Sequence, residues 1–347
     1  MSNALGVYIF AGGFTLGMRK HFNVLAHFED GPFGVATVKR NMPEIPIHTH
    51  LDSWPAAQYR GIVDVIYGNP PCAPWSTAGN IINQKSVLAT HGIDAKWEID
   101  PRVDCVRHQF ALLEKIAPKV WIWESVAAAY KRGAPFIKQL VEQAIAQGYA
   151  VTLLRLNGAF CGLAQHRRRF FFVAHRVEIP WGRPALSPRT VADMIRGVAS
   201  PEHAARASVG KNLKVMIAGM KQGQGGQHRF HEYCQEQDIE QQLNKNGHVK
   251  NRPGFLTKRL AWDATSGTIV SGSCLVHPDE DRMLTVHETK LLSGYPADYE
   301  FIGTDAYGQI SKAVLPPVAD WLGGLVAAGI TAGAPTPATL RDVNYLK

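Results

Sequence analysis

The chain of 347 residues lacks the marks of an extracellular, membrane-spanning or metal-stapled protein. Its five cysteines, Cys72, Cys105, Cys161, Cys234 and Cys274, are odd in number and widely spaced. Neither a disulfide framework nor a Cys-x-x-Cys metal site is expected. That usage fits a reducing compartment, and a cytoplasmic location is expected. No basic run precedes the apolar residues near the N-terminus, so no signal peptide is expected. The most apolar late segment, 313–330, is interrupted by Asp320 and by Pro316 and Pro317, so no membrane partner is expected. There is no internal repeat. Acidic residues are short of the basic ones, 29 against 37, and the net charge of +8 favours a polyanionic partner without proving one. Hydrophobic residues at 46% and charged residues at 19% exclude a disordered chain and allow a sizeable core.

What is present is an alternation of strand and helix through about residue 180. GVYIF, NVLAHFE, DVIYG, KVWIWES, YAVTLLRLN and RRRFFFVAHR read as strands, and residues 103–117 and 135–147 have helical spacing. The expected fold class is α/β: a Rossmann-like, mainly parallel sheet covered by helices, with a smaller second domain. The expected domains are 1–180 (catalytic and cofactor-binding), 181–280 (a smaller insertion), 281–330 (a return to the catalytic domain) and 331–347 (a peripheral tail). Sheets of this class bind ligands beyond the carboxyl ends of their strands, where Gly12, Gly13, Glu29, Cys72 and Glu124 fall.

Each of these residues has a functional and a plain structural reading. Gly12 and Gly13, with Gly17, allow close backbone approach to a cofactor, or simply a tight turn. Glu29 ends a strand where an acid accepts hydrogen bonds from ribose hydroxyls, or is merely solvated. Cys72 sits in a proline-flanked turn after an apolar strand, and a thiolate there suits attack on an electron-poor ring carbon. Glu124 ends an aromatic strand, where burial raises a carboxyl pKa and readies it to give a proton; a helix-cap acid is the alternative. Gln165, Arg167 and Arg169 precede an apolar strand, with both arginines on one face by alternation, fit for anion or base contact or for bridging local acids.

In this order the residues resemble the DNA cytosine-5 methyltransferase family. Pro71-Cys72-Ala73-Pro74-Trp75-Ser76 is similar to its Pro-Cys-Gln-x-Phe-Ser motif, and Glu124-Ser125-Val126 to its Glu-Asn-Val. Gln165, Arg167 and Arg169 match Gln-x-Arg-x-Arg, and RMLTVHETKLLSGYP resembles the block before the last cofactor helix. The resemblance covers residues 7–177 and about 282–325. It implies a double-stranded DNA partner, base flipping, and covalent attack by Cys72 on C6 of cytosine. It further implies Glu124 at N3 and the exocyclic amine, Arg167 near O2, and Gln165, Arg169 and Ser76 in support. Phe10, Gly12, Gly13, Glu29, Trp75 and Lys312 would bind S-adenosyl-L-methionine, with Trp75 closing over it. Residues 80–100 would form a loop over the flipped base. Residues 181–280 would be the target-recognition region, with Lys211, Lys214, Lys221, Arg229, Lys245, Lys250, Arg252, Lys258 and Arg259 fit for phosphates. A monomer is expected.

Three departures stand out. Phe10 takes the first glycine of the family's Phe-x-Gly-x-Gly-Gly turn, Ala73 replaces a glutamine, and Lys312 replaces the asparagine of Gly-Asn-Ala-Val-Pro-Pro. A cation beside a sulfonium is unfavourable. A protein carboxylate would compensate, and so would one on the donor. The latter describes carboxy-S-adenosyl-L-methionine, whose product would be 5-carboxymethylcytosine. A cytosine-C5 enzyme acting on RNA and a catalytically silent DNA-binding protein are the remaining alternatives.

Overall fold

The structure, a computed structural model, describes residues 1–51, 53–76, 96–199, 214, 217–236, 257–270 and 274–347. Residues 80–95 of the loop expected over the base (80–100), and Lys211, Lys245, Lys250 and Arg252, lie outside the described residues.

The first half alternates as the apolar pattern requires. It runs β1 (Asn3–Val7), α1 (Gly13–Met18), β2 (Asn23–Phe28), α2 (Pro32–Asn41), β3 (Ile47–His48), β4 (Val65–Gly68), α3 (Val103–Ile116), β5 (Val120–Val126), α4 (Ala134–Ala146), β6 (Ala150–Asn157) and β7 (Arg168–His175). β1 ends at Val7, so Tyr8 to Phe10, read as strand from sequence, belong to the turn after it. One eight-stranded sheet has the order β10-β6-β7-β5-β4-β1-β2-β3, in which β10 is Leu340–Tyr345. All neighbouring pairs are parallel except those of β7, which runs antiparallel to both β5 and β6. The sheet is thus mixed but mainly parallel.

Side-chain alternation divides the core into two layers. Trp121 and Trp123 of β5, with Phe170 and Phe172 of β7, face α3 and α4. Val120, Ile122, Phe171 and Val173 face α1 and a long late helix, α8 (Pro316–Ala332). The helical stretch Ala306–Ala332 is apolar and long enough to cross a membrane, but 56% of its most apolar window is buried inside the fold. It is also broken between Lys312 and Pro316.

Between β7 and α8 the chain leaves the sheet. The described part carries α5 (Gly226–Glu236), a two-stranded sheet of β8 (Thr257–Arg259) and β9 (Cys274–Val276), α6 (Val286–Leu292) and α7 (Ala306–Lys312). Small apolar clusters around Leu260, Leu284 and Leu292, and around Ile217 and Met283, hold it together. Helix α6 starts with a capping box: Thr285 Oγ1 accepts from Glu288 N, and the Glu288 carboxylate accepts from Thr285 N.

The reading of 331–347 as a peripheral tail needs correction. Leu340–Tyr345 forms β10, which pairs parallel with β6 at the edge of the main sheet. Asp342 anchors it, accepting from Arg155 Nη2 at 2.7 Å and from the Tyr130 hydroxyl.

Candidate active site

The carboxyl ends of β1, β4 and β5 surround a pocket of about 410 Å³, within the size range of small-molecule sites. Phe10, Glu29, Cys72, Ser76, Glu124, Arg169 and Lys312 all line it. Strand topology alone gathers these residues from segments up to 302 positions apart (10 to 312).

Cys72 leaves β4 through Asn69-Pro70-Pro71. The backbone then closes a turn on it, with Trp75 N and Ser76 N both donating to Cys72 O at 3.1 Å. Burial raises the Cys72 thiol pKa; the neighbouring Arg169 and Arg167 cations pull it down and Glu124 pushes it up. Trp75, expected over the cofactor, does not line the pocket. It is fully buried, with its ring centroid 5.2 Å from that of Trp123 and 5.9 Å from that of Phe136. Arg132 Nη1 donates to its carbonyl at 3.2 Å. Its apolar ring is worth more in that cluster than at a solvated pocket edge.

Glu124 is 4% exposed. Burial raises its carboxyl pKa, and Arg169 and Arg167 oppose the rise. Sheet register explains its partner. Glu124 pairs with Phe171 and Val126 with Arg169 across the β5–β7 ladder. Glu124 and Arg169 are therefore diagonal neighbours on one face, and Arg169 Nε lies 2.9 Å from Glu124 Oε1.

Arg167, expected near a base oxygen, is elsewhere. It is 2% exposed, and its guanidinium donates to three carbonyls: Ile269 O at 3.1 Å, Ser311 O at 2.6 Å and Ala313 O at 3.0 Å. The two arginines thus exchange the places given them from sequence: Arg169 faces the pocket and Arg167 braces its wall. Gln165 is buried behind them, donating to Ser293 Oγ at 3.3 Å and accepting from Ile269 N at 3.2 Å.

On the opposite wall, Glu29 accepts from Phe10 N at 2.6 Å and Gly31 N at 2.8 Å. Burial raises its pKa to about 7 even though these amide donors lower it. Phe10 keeps the left-handed backbone that a glycine there would adopt, at φ 50°, a conformation that costs a non-glycine residue about 1–2 kcal/mol. Gly12 and Gly13 do not line the pocket; they are needed for packing beneath it. A Cβ on Gly12, itself at φ 74°, would lie 2.7 Å from Tyr299 Oη, and one on Gly13 would lie 2.2 Å from Val314 O. Tyr299 Oη ties this turn down by donating to Ala11 O at 2.8 Å. Lys312 is half-exposed at the pocket, with Nζ 3.8 Å from Asp305 Oδ2 and 5.9 Å from the Phe10 ring centroid.

Sequence reasoning missed Tyr8, Asp30, Asn69 and Arg102, which also line the pocket. Asn69 had a signal, being the polar residue at the exit of β4; its Oδ1 is buried and has no hydrogen-bond partner among the described residues. Arg102 is bonded to Asp100, Nη2 to Oδ2 at 2.6 Å. Two of the expected phosphate contacts need correction. Arg229 is buried against Glu236 at 2.7 Å. Arg259, 3% exposed, donates to the carbonyls of Ile217, His277 and Glu280. Both hold the small domain together, whereas Lys214, Lys221 and Lys258 are exposed.

The family model of C-5 cytosine-specific DNA methylases matches residues 8–326. The chain is 26% identical over 333 residues to the Type II methyltransferase M1.HphI of Haemophilus parahaemolyticus, covering 89% of this chain and 82% of that one. Among solved structures, a chain described as a DNA modification methyltransferase encoded within an E. coli prophage superposes with a TM-score of 0.68 at 17% identity, covering 95% of this chain and 100% of that one. The Entamoeba histolytica methyltransferase EhMeth superposes with a TM-score of 0.66 at 14% identity, covering 95% and 99%.

Proposed function

This chain belongs to the C-5 cytosine-specific DNA methylase family, and we propose that Cys72, Glu124 and Arg169 carry its chemistry while Phe10, Glu29 and Lys312 hold its donor. Such an enzyme transfers a methyl group to cytosine C5 through a covalent cysteine–C6 intermediate. The observation that supports this assignment is the single pocket that all six residues line.

Cys72 adds to C6 as the thiolate. Electron density moves through the ring toward N3, where Glu124, its carboxyl pKa raised by burial, gives a proton. Arg169 stabilises negative charge at O2, and its ion pair fixes Glu124. Arg167 keeps the wall behind them rigid. When bound, an S-adenosylmethionine-type donor supplies a carbon electrophile on a sulfonium. A pocket with a buried acid at one end, a cation at the other and an unpartnered Asn69 oxygen fits such a polar, partly charged molecule. After transfer, a base or an ordered water takes the C5 proton, N3 returns its proton to Glu124, and Cys72 leaves as the thiolate. Residues 181–280 serve as the target-recognition region on double-stranded DNA, and the enzyme acts as a monomer in the cytoplasm.

Lys312 favours a more specific reading of the donor. Two other cations line the pocket, and each has a close carboxylate: Arg102 at 2.6 Å from Asp100 and Arg169 at 2.9 Å from Glu124. Among the described residues, the carboxylate that Lys312 pairs with is that of Asp305 at 3.8 Å, and both side chains are about half exposed, so that pair is weak. The capacity to take an anionic ligand group therefore rests on Lys312. Carboxy-S-adenosyl-L-methionine carries that group on its sulfonium, and the product would be 5-carboxymethylcytosine.

The test is mass spectrometry of digested DNA after incubation with the protein and either donor. Carboxymethylcytosine formed in preference, and lost in Lys312→Asn, supports the specific reading. Methylcytosine with no preference for the carboxy donor leaves a conventional methyltransferase. Failure of Cys72 to trap covalently on a mechanism-based cytosine analogue would overturn the assignment of the nucleophile.

A further inference from the structure

Two of the departures from the family pattern, Phe10 and Lys312, meet in space although 302 positions separate them (10 to 312). Phe10 follows β1, and Lys312 ends α7. The Lys312 ammonium lies 5.9 Å from the Phe10 ring centroid, at the outer limit of cation–π attraction.

Neither partner is free to drift. The Lys312 backbone is held on both sides, because Arg167 Nη2 donates to Ser311 O at 2.6 Å and to Ala313 O at 3.0 Å. Asn69 Nδ2 approaches the Lys312 carbonyl itself at 3.5 Å. Phe10 is held through its own amide, which donates to Glu29 Oε2 at 2.6 Å. Its carbonyl lies against Gly34, where an added Cβ would come within 2.7 Å. The ring packs beside Ala11, Tyr295, Tyr299 and Ala313. A strained left-handed residue persists where its surroundings over-determine it, and such positions concentrate at ligand clamps. Glycine would relieve the strain and also remove the ring from the pocket.

We propose that Phe10 is a specificity-determining residue for the donor: its ring forms the wall that steers the Lys312 ammonium toward the transferred group and sharpens selection for a donor with an added carboxylate. The inference rests on the assignment of Lys312 as the residue that reads the donor. Without the ring, the four-carbon stem of Lys312 has more rotamers available, and the ammonium can settle on Asp305 or in solvent. The ring also fills volume that would otherwise let a smaller group sit loosely.

The experiment measures dissociation constants of S-adenosyl-L-methionine and of its carboxy form by calorimetry, without DNA, on the full chain. The proteins are the wild type, Phe10→Gly, Phe10→Leu and Lys312→Asn. The expected wild-type ratio favours the carboxy donor, and Lys312→Asn abolishes the preference. Phe10→Gly lowers the ratio about threefold or more, in keeping with the loss of a cation–π contact at a partly exposed site, while its melting temperature holds or rises. Phe10→Leu, which keeps bulk without the π face, falls between. If Lys312→Asn lowers the ratio and both Phe10 variants keep the wild-type value, the role of Phe10 is overturned and that of Lys312 stands. If the wild type shows no preference and Lys312→Asn changes nothing, both fall together.

Discussion

Arg169 Nε lies 2.9 Å from Oε1 of Glu124, while that oxygen has no hydrogen-bond donor in line with it. The ion pair holds a buried carboxyl beside the nucleophile but leaves the oxygen able to receive a further partner. A cytosine edge supplies donors of that kind.

The two arginines should separate by phenotype. Arg169→Ala is expected to lose less stability than Arg167→Ala, because Glu124 can take up a proton once its partner is gone, and to lose transfer activity about 100-fold or more, the loss typical of removing one donor to developing charge. Arg167→Ala is expected to lose on the order of 3 kcal/mol of stability, because three carbonyls lose a charged donor in the core. Urea midpoints and steady-state rates on both variants check this; equal destabilisation by the two would contradict the assignment.

Burial raises the Cys72 thiol pKa, so the reactive thiolate is scarce at neutral pH in the free protein. The rate of Cys72 alkylation should keep rising with pH through and beyond the ordinary thiol range. Arg169→Ala should shift that profile to still higher pH, because the Arg169 cation lowers the thiol pKa. Iodoacetamide labelling read by peptide mass spectrometry measures both.

Glu29 has its pKa raised to about 7 from an ordinary value of 4.5. Folding therefore favours the protonated carboxyl. Its stabilising contribution is complete below pH 4.5 and fades as pH rises through about 7. Donor binding should run the other way, since the carboxylate is the better acceptor for ribose hydroxyls. Donor affinity is expected to improve between pH 6 and pH 8, ~one unit on either side of that titration, and Glu29→Gln should flatten the profile. A wild-type profile already flat across that range would count against Glu29 as the ribose ligand.

In the small domain, Lys258 is exposed and Arg259 is buried. Lys258→Ala should weaken DNA binding and reduce the slope of log Kd against log salt by about one. Arg259→Ala should instead lower thermal stability through its orphaned carbonyls. Salt titrations of DNA binding beside melting curves distinguish the two.

Gly13→Ala should destabilise the fold by about 1–3 kcal/mol, since the added Cβ would meet Val314 O at 2.2 Å and Tyr295 Oη at 2.4 Å. A melting temperature unchanged from wild type would show that the turn can shift.

Local periodicity determined much of this protein. The order of strand ends told in advance that Glu29, Cys72 and Glu124 share one rim, and the alternation of β7 sets Phe171 and Val173 opposite Phe170 and Phe172. The capping box at Thr285 and Glu288 is local too, joining residues three positions apart. Tertiary structure decided what parity could not. Arg167 and Arg169 have the same parity, but only contacts with carbonyls more than 100 positions away draw Arg167 into the wall. Trp75 was assigned to the pocket through its place in the family motif, yet Trp123 and Phe136 offered its ring a dry partner surface. The last strand carries a polar, exposed sequence with no core signal, and it joins the sheet through ladder hydrogen bonds and the partners of Asp342. The meeting of Phe10 with Lys312 is of the same kind: sequence showed two separate departures, and the fold set one beside the other because β1 and α7 both end at the same pocket.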